Sequence, residues 1–241
     1  MSIIDIDWSF FVLTEFIESR KGHFTGKTCL DIGSGSGLHA RILEAAGLEV
    51  TTLDKYASTA DIQQGFIEHD FQQQFDYIFC SHVIEHQRNC GLFLDKIFDV
   101  LSDEGTLILS APKHAAETMV EGHINSWILP LLIQQMVYSG FDLKSGKLLS
   151  CGGVENSLIA SKDPAYTVDE RLDDAYLWQE YHKARSPVEL TYQHFDNDVT
   201  FFYNCEHWFL NSAKQAFFRG SDSNPCGLTI MTSRWGRSLD L

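Results

Sequence analysis

The sequence predicts an α/β chain in which a mainly parallel sheet carries helices wound on both faces. Three observations point there. The stretch Gly26-Lys27-Thr28-Cys29-Leu30-Asp31-Ile32-Gly33-Ser34-Gly35-Ser36-Gly37 reads as a buried strand that ends in an acid and a glycine-rich turn. After a helical run, Glu49-Val50-Thr51-Thr52-Leu53-Asp54 reads as a second strand, again closed by an acid. Beyond it, Phe75-Asp76-Tyr77-Ile78-Phe79-Cys80-Ser81 is mostly apolar, as a strand covered on both faces is. Strands alternating with helices make a doubly wound sheet the natural architecture.

The elements follow in order. Asp7 is expected to cap a first helix to about residue 20, with Trp8, Phe11, Val12 and Phe16 on one side. Strands are expected at 27–32 and 49–53. A helix over 36–46 lies between them, with Leu38, Ile42 and Ala45 spaced for one face and Gly47 as its stop. Residues 65–70 read as a short third strand, followed by 75–81. Leu94, Ile97, Phe98 and Leu101 then repeat at helical spacing, and Asp103-Glu104-Gly105 turns the chain into a strand at 106–110. Residues 112–129 lack a clear period, and a long connection of this kind beside a ligand site tends to carry function. Pro130 suits the first position of a helix that ends at Ser139, with Gly140 beyond it. Strand-like segments follow at about 141–150 and 155–161.

The core is therefore expected over 1–163, with 164–241 as an aromatic-rich C-terminal extension or cap. Residues 168–184 and 206–218 look helical, and Phe195, Phe201, Phe202, Tyr203, Trp208 and Phe209 make part of this region unusually aromatic. Those rings could line an acceptor pocket, pack a core or form a dimer interface. Gly227-Leu228-Thr229-Ile230-Met231-Thr232-Ser233 could be a strand of the main sheet, within 226–235. In that case 164–225 is an insertion before it; the other reading is a tail folded over the core.

The chain has 241 residues, enough for one substantial core. Its formal net charge of −15 disfavours a nucleic-acid partner, which would draw on clustered Lys and Arg. Six cysteines are scattered without a CxxC pair, and the absence of a signal peptide or spanning segment in the sequence leads to an expected reduced, cytoplasmic protein with no membrane partner.

The glycine turn allows close approach of a ligand to backbone amides, and an acid closing the second strand suits a ribose with both hydroxyls free. Together with the order of the blocks, these residues resemble the class I S-adenosylmethionine-dependent methyltransferases over about 26–162. Leu30-Asp31-Ile32-Gly33-Ser34-Gly35-Ser36-Gly37 is similar to that family's first motif. Asp54 falls at its ribose-binding acid. Phe75-Asp76-Tyr77-Ile78-Phe79-Cys80-Ser81-His82-Val83-Ile84-Glu85-His86 resembles its fourth strand and following turn.

The resemblance implies a Rossmann-like sheet of seven strands, S-adenosylmethionine as cofactor and S-adenosylhomocysteine as product. It implies that Gly33, Ser34, Gly35 and Gly37 pass close to the cofactor, and that Asp31 helps hold its ammonium. Asp54, with Lys55 beside it, would meet the ribose. Asp70 and Phe71 would meet the adenine, and Ser81 and His82 would begin the turn nearest the methyl group. A ring of carboxylates complements a sulfonium and an ammonium, whereas it would repel a pyrophosphate. His123 resembles a histidine found in sugar- and small-molecule-modifying relatives, and it is the first candidate general base, with His86 the second. His123 can equally be a loop residue that orders 112–129.

The implied partner is a small-molecule acceptor, with a sugar or polysaccharide-biosynthesis intermediate as one candidate, and a homodimer is a further candidate assembly. His82 and His86 have the spacing of metal ligands, but no third ligand is apparent, so no metal is expected. Two other readings stay open. Gly35-Ser36-Gly37-Leu38-His39-Ala40 satisfies the GxGxxA of NAD(P)-dependent oxidoreductases, and a catalytically inert cofactor-binding partner protein would keep the same loop.

Overall fold

The computed structural model describes residues 2–6, 8–113, 118–151, 155–166, 228–232 and 237–241. A short strand, β1 (Ser2–Asp5), leads into α1 (Phe10–Ser19), whose N-cap position is held by Ser9. Asp7, expected as the cap, lies outside the described residues. Trp8 belongs to neither element and is 44% exposed, so it does not join the apolar face of the helix as expected. Phe10, Phe11, Val12, Leu13, Phe16 and Ile17 are all buried, so α1 sits inside the fold rather than on its surface.

The β2 (Thr28–Ile32), α2 (Leu38–Ala45), β3 (Glu49–Leu53) unit forms as expected. β4 (Phe75–Ser81) runs parallel beside β2, and a single 3-10 turn, Ile84–His86, connects it to α3 (Cys90–Val100). β5 (Leu101–Pro112) begins earlier than expected. The Asp103-Glu104-Gly105 turn is absorbed as an irregularity in its pairing with β4, which passes from Phe75↔Leu101 to Tyr77↔Thr106. α4 (Leu129–Tyr138) carries Pro130 in its first turn, where the missing N–H costs nothing. β6 (Phe141–Cys151) and β7 (Glu155–Lys162) complete the main sheet.

The sheet order is β3-β2-β4-β5-β7-β6, with β7 antiparallel to both neighbours. Among the described residues it has six strands, not seven. The expected strand at 65–70 is a turn: the amides of Glu68 and His69 both close on the Gly65 carbonyl. Only Phe66 of that segment is buried, so no alternating face exists to pair with β3. The strand expected near 227–233 forms as β8 (Leu228–Thr232), but it leaves the main sheet. It pairs in parallel with β1 and antiparallel with β9 (Arg237–Asp240) in a separate three-stranded sheet. The helices and aromatic cluster expected between 168 and 218 lie outside the described residues.

Core residues divide across the main sheet. Tyr77 and Phe79 of β4 pack with α1 and α2, while Ile78 and Cys80 pack with α3 and α4. Alternate residues of one strand thus serve two cores, which is the physical content of a doubly wound sheet.

Candidate active site

The carboxyl ends of β2, β3 and β4 border a cleft of about 540 Å³, lined by Gly33, Asp54, Lys55, Phe66, His82 and His86 among others. This is where parallel α/β sheets bind ligands. Its rim depends on Gly33, at φ 73°, where an added Cβ would sit 2.3 Å from Val83 Cγ2. Any side chain there collides with the turn after β4. The amides of Gly33 and Ser34 both donate to the Leu53 carbonyl at 2.7 and 3.2 Å, which ties the loop to the end of β3. Gly35 and Gly37 also have positive φ, and a Cβ at either would meet open space.

Two carboxyls under this loop are pushed in opposite directions. Asp31 is buried, and burial first, then the neighbouring charge of Asp54, raise its pKa to about 7 against a small opposing effect of the Ala40 amide. Its Oδ2 has no hydrogen-bond partner among the described residues. Burial also acts to raise Asp54, but the amides of Ala57, Tyr56 and Gly35 outweigh it and hold the carboxyl below its ordinary value. Those amides donate at 2.8, 2.7 and 2.9 Å. Of roughly four acceptor sites on a carboxylate, three are thus taken, so two new ribose contacts would require the Gly35 amide to yield.

A buried carboxyl with one unpartnered oxygen beside an open glycine loop fits a ligand with a cationic group and a ribose. S-adenosylmethionine has both. Asp31 has the charge for the ammonium, Asp54 the acceptor for a ribose hydroxyl, and Phe66 an apolar wall for a base. Lys55 lies 3.9 Å from Glu68 at the mouth. Asp70 and Phe71 are placed differently from expectation. They line a second hollow of about 640 Å³ with Asp95 and Lys96 of α3. Because 65–70 is a turn tied through Lys96 Nζ to the Ile67 and His69 carbonyls, Phe66 rather than Phe71 reaches the cleft.

The expected catalytic histidines come together. His86 lines the cleft, and its ring centroid lies 4.9 Å from that of His123. Its Nδ1 bonds the Gly122 carbonyl at 2.8 Å, while the amides of Ile124 and Asn125 donate to the Glu85 carbonyl. The 118–128 segment is therefore strapped onto the 3-10 turn. The fold does not complete the His82/His86 pair but brings a different set together: among the described residues, ligand atoms of Glu85, His86 and His123 lie within 4.8 Å of one another.

Sequence reasoning missed a second constellation. Glu155, the first residue of β7, is almost fully buried and accepts the Ser9 amide on both oxygens at 3.1 and 2.9 Å. Its Oε2 also meets His82 Nε2 at 3.0 Å. Trp8 packs against His82 with centroids 4.7 Å apart and ring planes tilted by 48°, and Ser81 Oγ bonds Ser9 Oγ at 2.6 Å. A glutamate at the start of a strand expected to be buried was the available clue.

Comparison with known proteins agrees with this geometry. A family model described as a methyltransferase domain matches residues 12–145, more than half of the chain, and the chain belongs to that family. The class its fold and site define is the class I S-adenosylmethionine-dependent methyltransferases. Among curated relatives, a ubiquinone biosynthesis O-methyltransferase of Rickettsia bellii is 26% identical over 130 residues, covering 46% of this chain and 54% of that protein. The mitochondrial one of Schizosaccharomyces pombe is 28% identical over 116 residues, covering 41% and 42%. The chain thus spans about half the length of the curated relatives it matches. Among solved structures, a Burkholderia thailandensis 1,6-didemethyltoxoflavin-N1-methyltransferase bound to S-adenosylhomocysteine superimposes with a TM-score of 0.53 at 16% identity, over 62% of this chain and 76% of that one. A methyltransferase from Archaeoglobus fulgidus gives 0.51 at 16% identity, over 62% and 91%. The family match sets aside the nicotinamide reading of the glycine loop.

Proposed function

We propose that this protein moves the methyl group of S-adenosylmethionine to an oxygen or nitrogen of a small-molecule acceptor. The observation that carries the reading is the opposed pair of carboxyls under the glycine loop, one with an unpartnered oxygen and its pKa raised to about 7, the other held below its ordinary value. The cofactor, when bound, supplies an already activated methyl group, so the protein's part is alignment and exclusion of water. Asp31 would hold the cationic amino-acid end, Asp54 the ribose, and Gly33 to Gly37 the passage between them. His82 and His86 line the same cleft, with His123 packed beside His86, and these rings are the candidates for a base that takes the acceptor's proton.

The names of the curated relatives favour oxygen over nitrogen. A sugar hydroxyl is supported only by the likeness of the His123 segment. The net charge of −15 supports a metabolite rather than a nucleic acid. Among the described residues no helix is long and apolar enough to cross a membrane. A thermal-shift series tests the assignment: S-adenosylhomocysteine should raise the melting temperature with concentration, and NAD should not. A rise with NAD alone would overturn it.

A further inference from the structure

We propose that Lys96 is a positioning residue for the methyl donor: from outside the cleft it holds the wall, residues 64–68, against which the purine base lies. This rests on the methyl-donor reading above. Residues 64–68 all line the cleft, with Phe66 among them. They lie in no strand of the main sheet, so ladder hydrogen bonds do not fix them. Within the segment the amides of Glu68 and His69 close on the Gly65 carbonyl at 3.2 and 3.1 Å. Only Phe66 is buried, so the segment has one apolar anchor of its own. Local bonding of this kind leaves a loop free to fray unless a tertiary contact holds it.

That contact comes from α3. Lys96 Nζ donates to the Ile67 carbonyl at 2.7 Å and to the His69 carbonyl at 2.5 Å. The same ammonium lies 5.5 Å from the centre of the Phe66 ring and 5.6 Å from that of Phe71. Phe93, one turn earlier on α3, meets the Phe66 ring edge-on with centroids 5.2 Å apart. One face of α3 thus offers the turn both an apolar partner and a charged donor. Burial lowers the Lys96 pKa, and the charges of Asp70 and Glu68 oppose that effect. The bonds that Lys96 makes nevertheless go to backbone carbonyls of the turn. Lys96 itself borders the second hollow and not the cleft, so its influence on a cleft ligand must pass through the turn.

The physical consequence is pre-organisation. Two carbonyl dipoles converge on one cation, and without it they repel each other and turn to water. The turn would then loosen, and the ligand would have to order it on binding. A wall already in place spares the ligand that ordering cost, which appears as affinity. The contacts expected of Asp31 and Asp54 lie at the ends of β2 and β3 and do not involve Lys96. Loss of the ammonium should therefore weaken the base end of the methyl donor and leave the rest of its site intact.

The test uses the full chain, titration calorimetry with S-adenosylhomocysteine and amide hydrogen exchange. Lys96→Met keeps the length of the stem and removes the charge; it should weaken binding about tenfold, and Lys96→Arg should restore it to within about threefold of wild type. Because Lys96 acts through the Phe66 wall, the two positions should not be additive. Lys96→Met/Phe66→Leu should bind within about threefold of Phe66→Leu alone. In the ligand-free protein the Glu68 and His69 amides should exchange at least about tenfold faster in Lys96→Met, while those of β2 are unchanged. If Lys96→Met does not fold, Lys96→Gln, which keeps a donor, should weaken binding about threefold with the same faster exchange. A folded Lys96→Met that binds S-adenosylhomocysteine within about twofold of wild type overturns the proposal. So do fully additive losses in the double variant, or unchanged exchange at Glu68 and His69. Wild-type protein that binds no S-adenosylhomocysteine overturns the methyl-donor reading beneath it, an outcome distinct from wild-type binding that Lys96→Met leaves intact.

Discussion

Replacing Asp31 by Asn should make the ligand-free protein more stable and the cofactor bind more weakly. The native carboxyl titrates near pH 7, against about 3.9 in the unfolded chain. Between those values the native state holds a proton that the unfolded state lacks. The contribution of Asp31 to stability is therefore complete below about pH 4 and falls as pH rises towards 7. From pH 5.5 to 8 that loss covers about 1.5 pH units of native titration at about 1.4 kcal/mol each, so about 2 kcal/mol, or roughly 4–8 °C in Tm.

At pH 8 the ionised side chain costs the ligand-free fold about 4 kcal/mol, and an Asn amide left short of a partner costs about 1–3 kcal/mol, so Asp31→Asn should gain about 1–3 kcal/mol. Affinity for S-adenosylhomocysteine runs the other way. Protonated Asp31 has no charge to offer an ammonium, so wild-type affinity should fall about 30-fold from pH 8 to pH 5.5, and that part of the pH dependence should vanish in the variant. Urea melts at both pH values, with and without S-adenosylhomocysteine, measure each quantity. Identical pH dependence of stability in wild type and Asp31→Asn would refute the assignment of a raised carboxyl at this position.

Other substitutions separate binding from turnover. Asp54→Ala removes the acceptor for three loop amides as well as for the ribose, and calorimetry should show S-adenosylhomocysteine affinity reduced at least about 100-fold, equivalent to about 3 kcal/mol. Gly33→Ala places a methyl 2.3 Å from Val83 Cγ2 at φ 73°; it should cost about 2–3 kcal/mol in urea melts, with partial recovery in the Gly33→Ala/Val83→Ala double variant. His123→Ala removes the ring packed beside His86, and should spare S-adenosylhomocysteine binding while lowering kcat. Unchanged turnover of His123→Ala in a methyl-transfer assay would remove His123 from the reaction.

How much was legible in the sequence depended on how local the signal was. The β2–α2–β3 unit, the glycine loop and the acids at 31 and 54 are set by residues a few places apart, and they formed where periodicity and turn chemistry placed them. The start of α4 next to Pro130 and its end before Gly140 were readable for the same reason. Segment 65–70 was misread because one buried phenylalanine between polar residues satisfies a strand pattern and a turn equally well; local amide bonding to Gly65 decided it. That turn also places Asp70 and Phe71 in the second hollow beside α3. The joining of β8 to β1 spans the whole chain and has no local trace. Glu155 and His82 are 73 residues apart, and only the antiparallel placement of β7 beside β5 makes them neighbours. His123 was noticed, but its approach to His86 comes from the Gly122 and Glu85 backbone ties.

The most direct measurement is an isothermal titration of the folded protein with S-adenosylhomocysteine at pH 8. A saturable heat with about one site per chain, lost in Asp54→Ala and weakened at pH 5.5, is the predicted result. Folded wild-type protein that releases no heat with either S-adenosylhomocysteine or S-adenosylmethionine would contradict the central claim that the acids at the strand ends form a methyl-donor site.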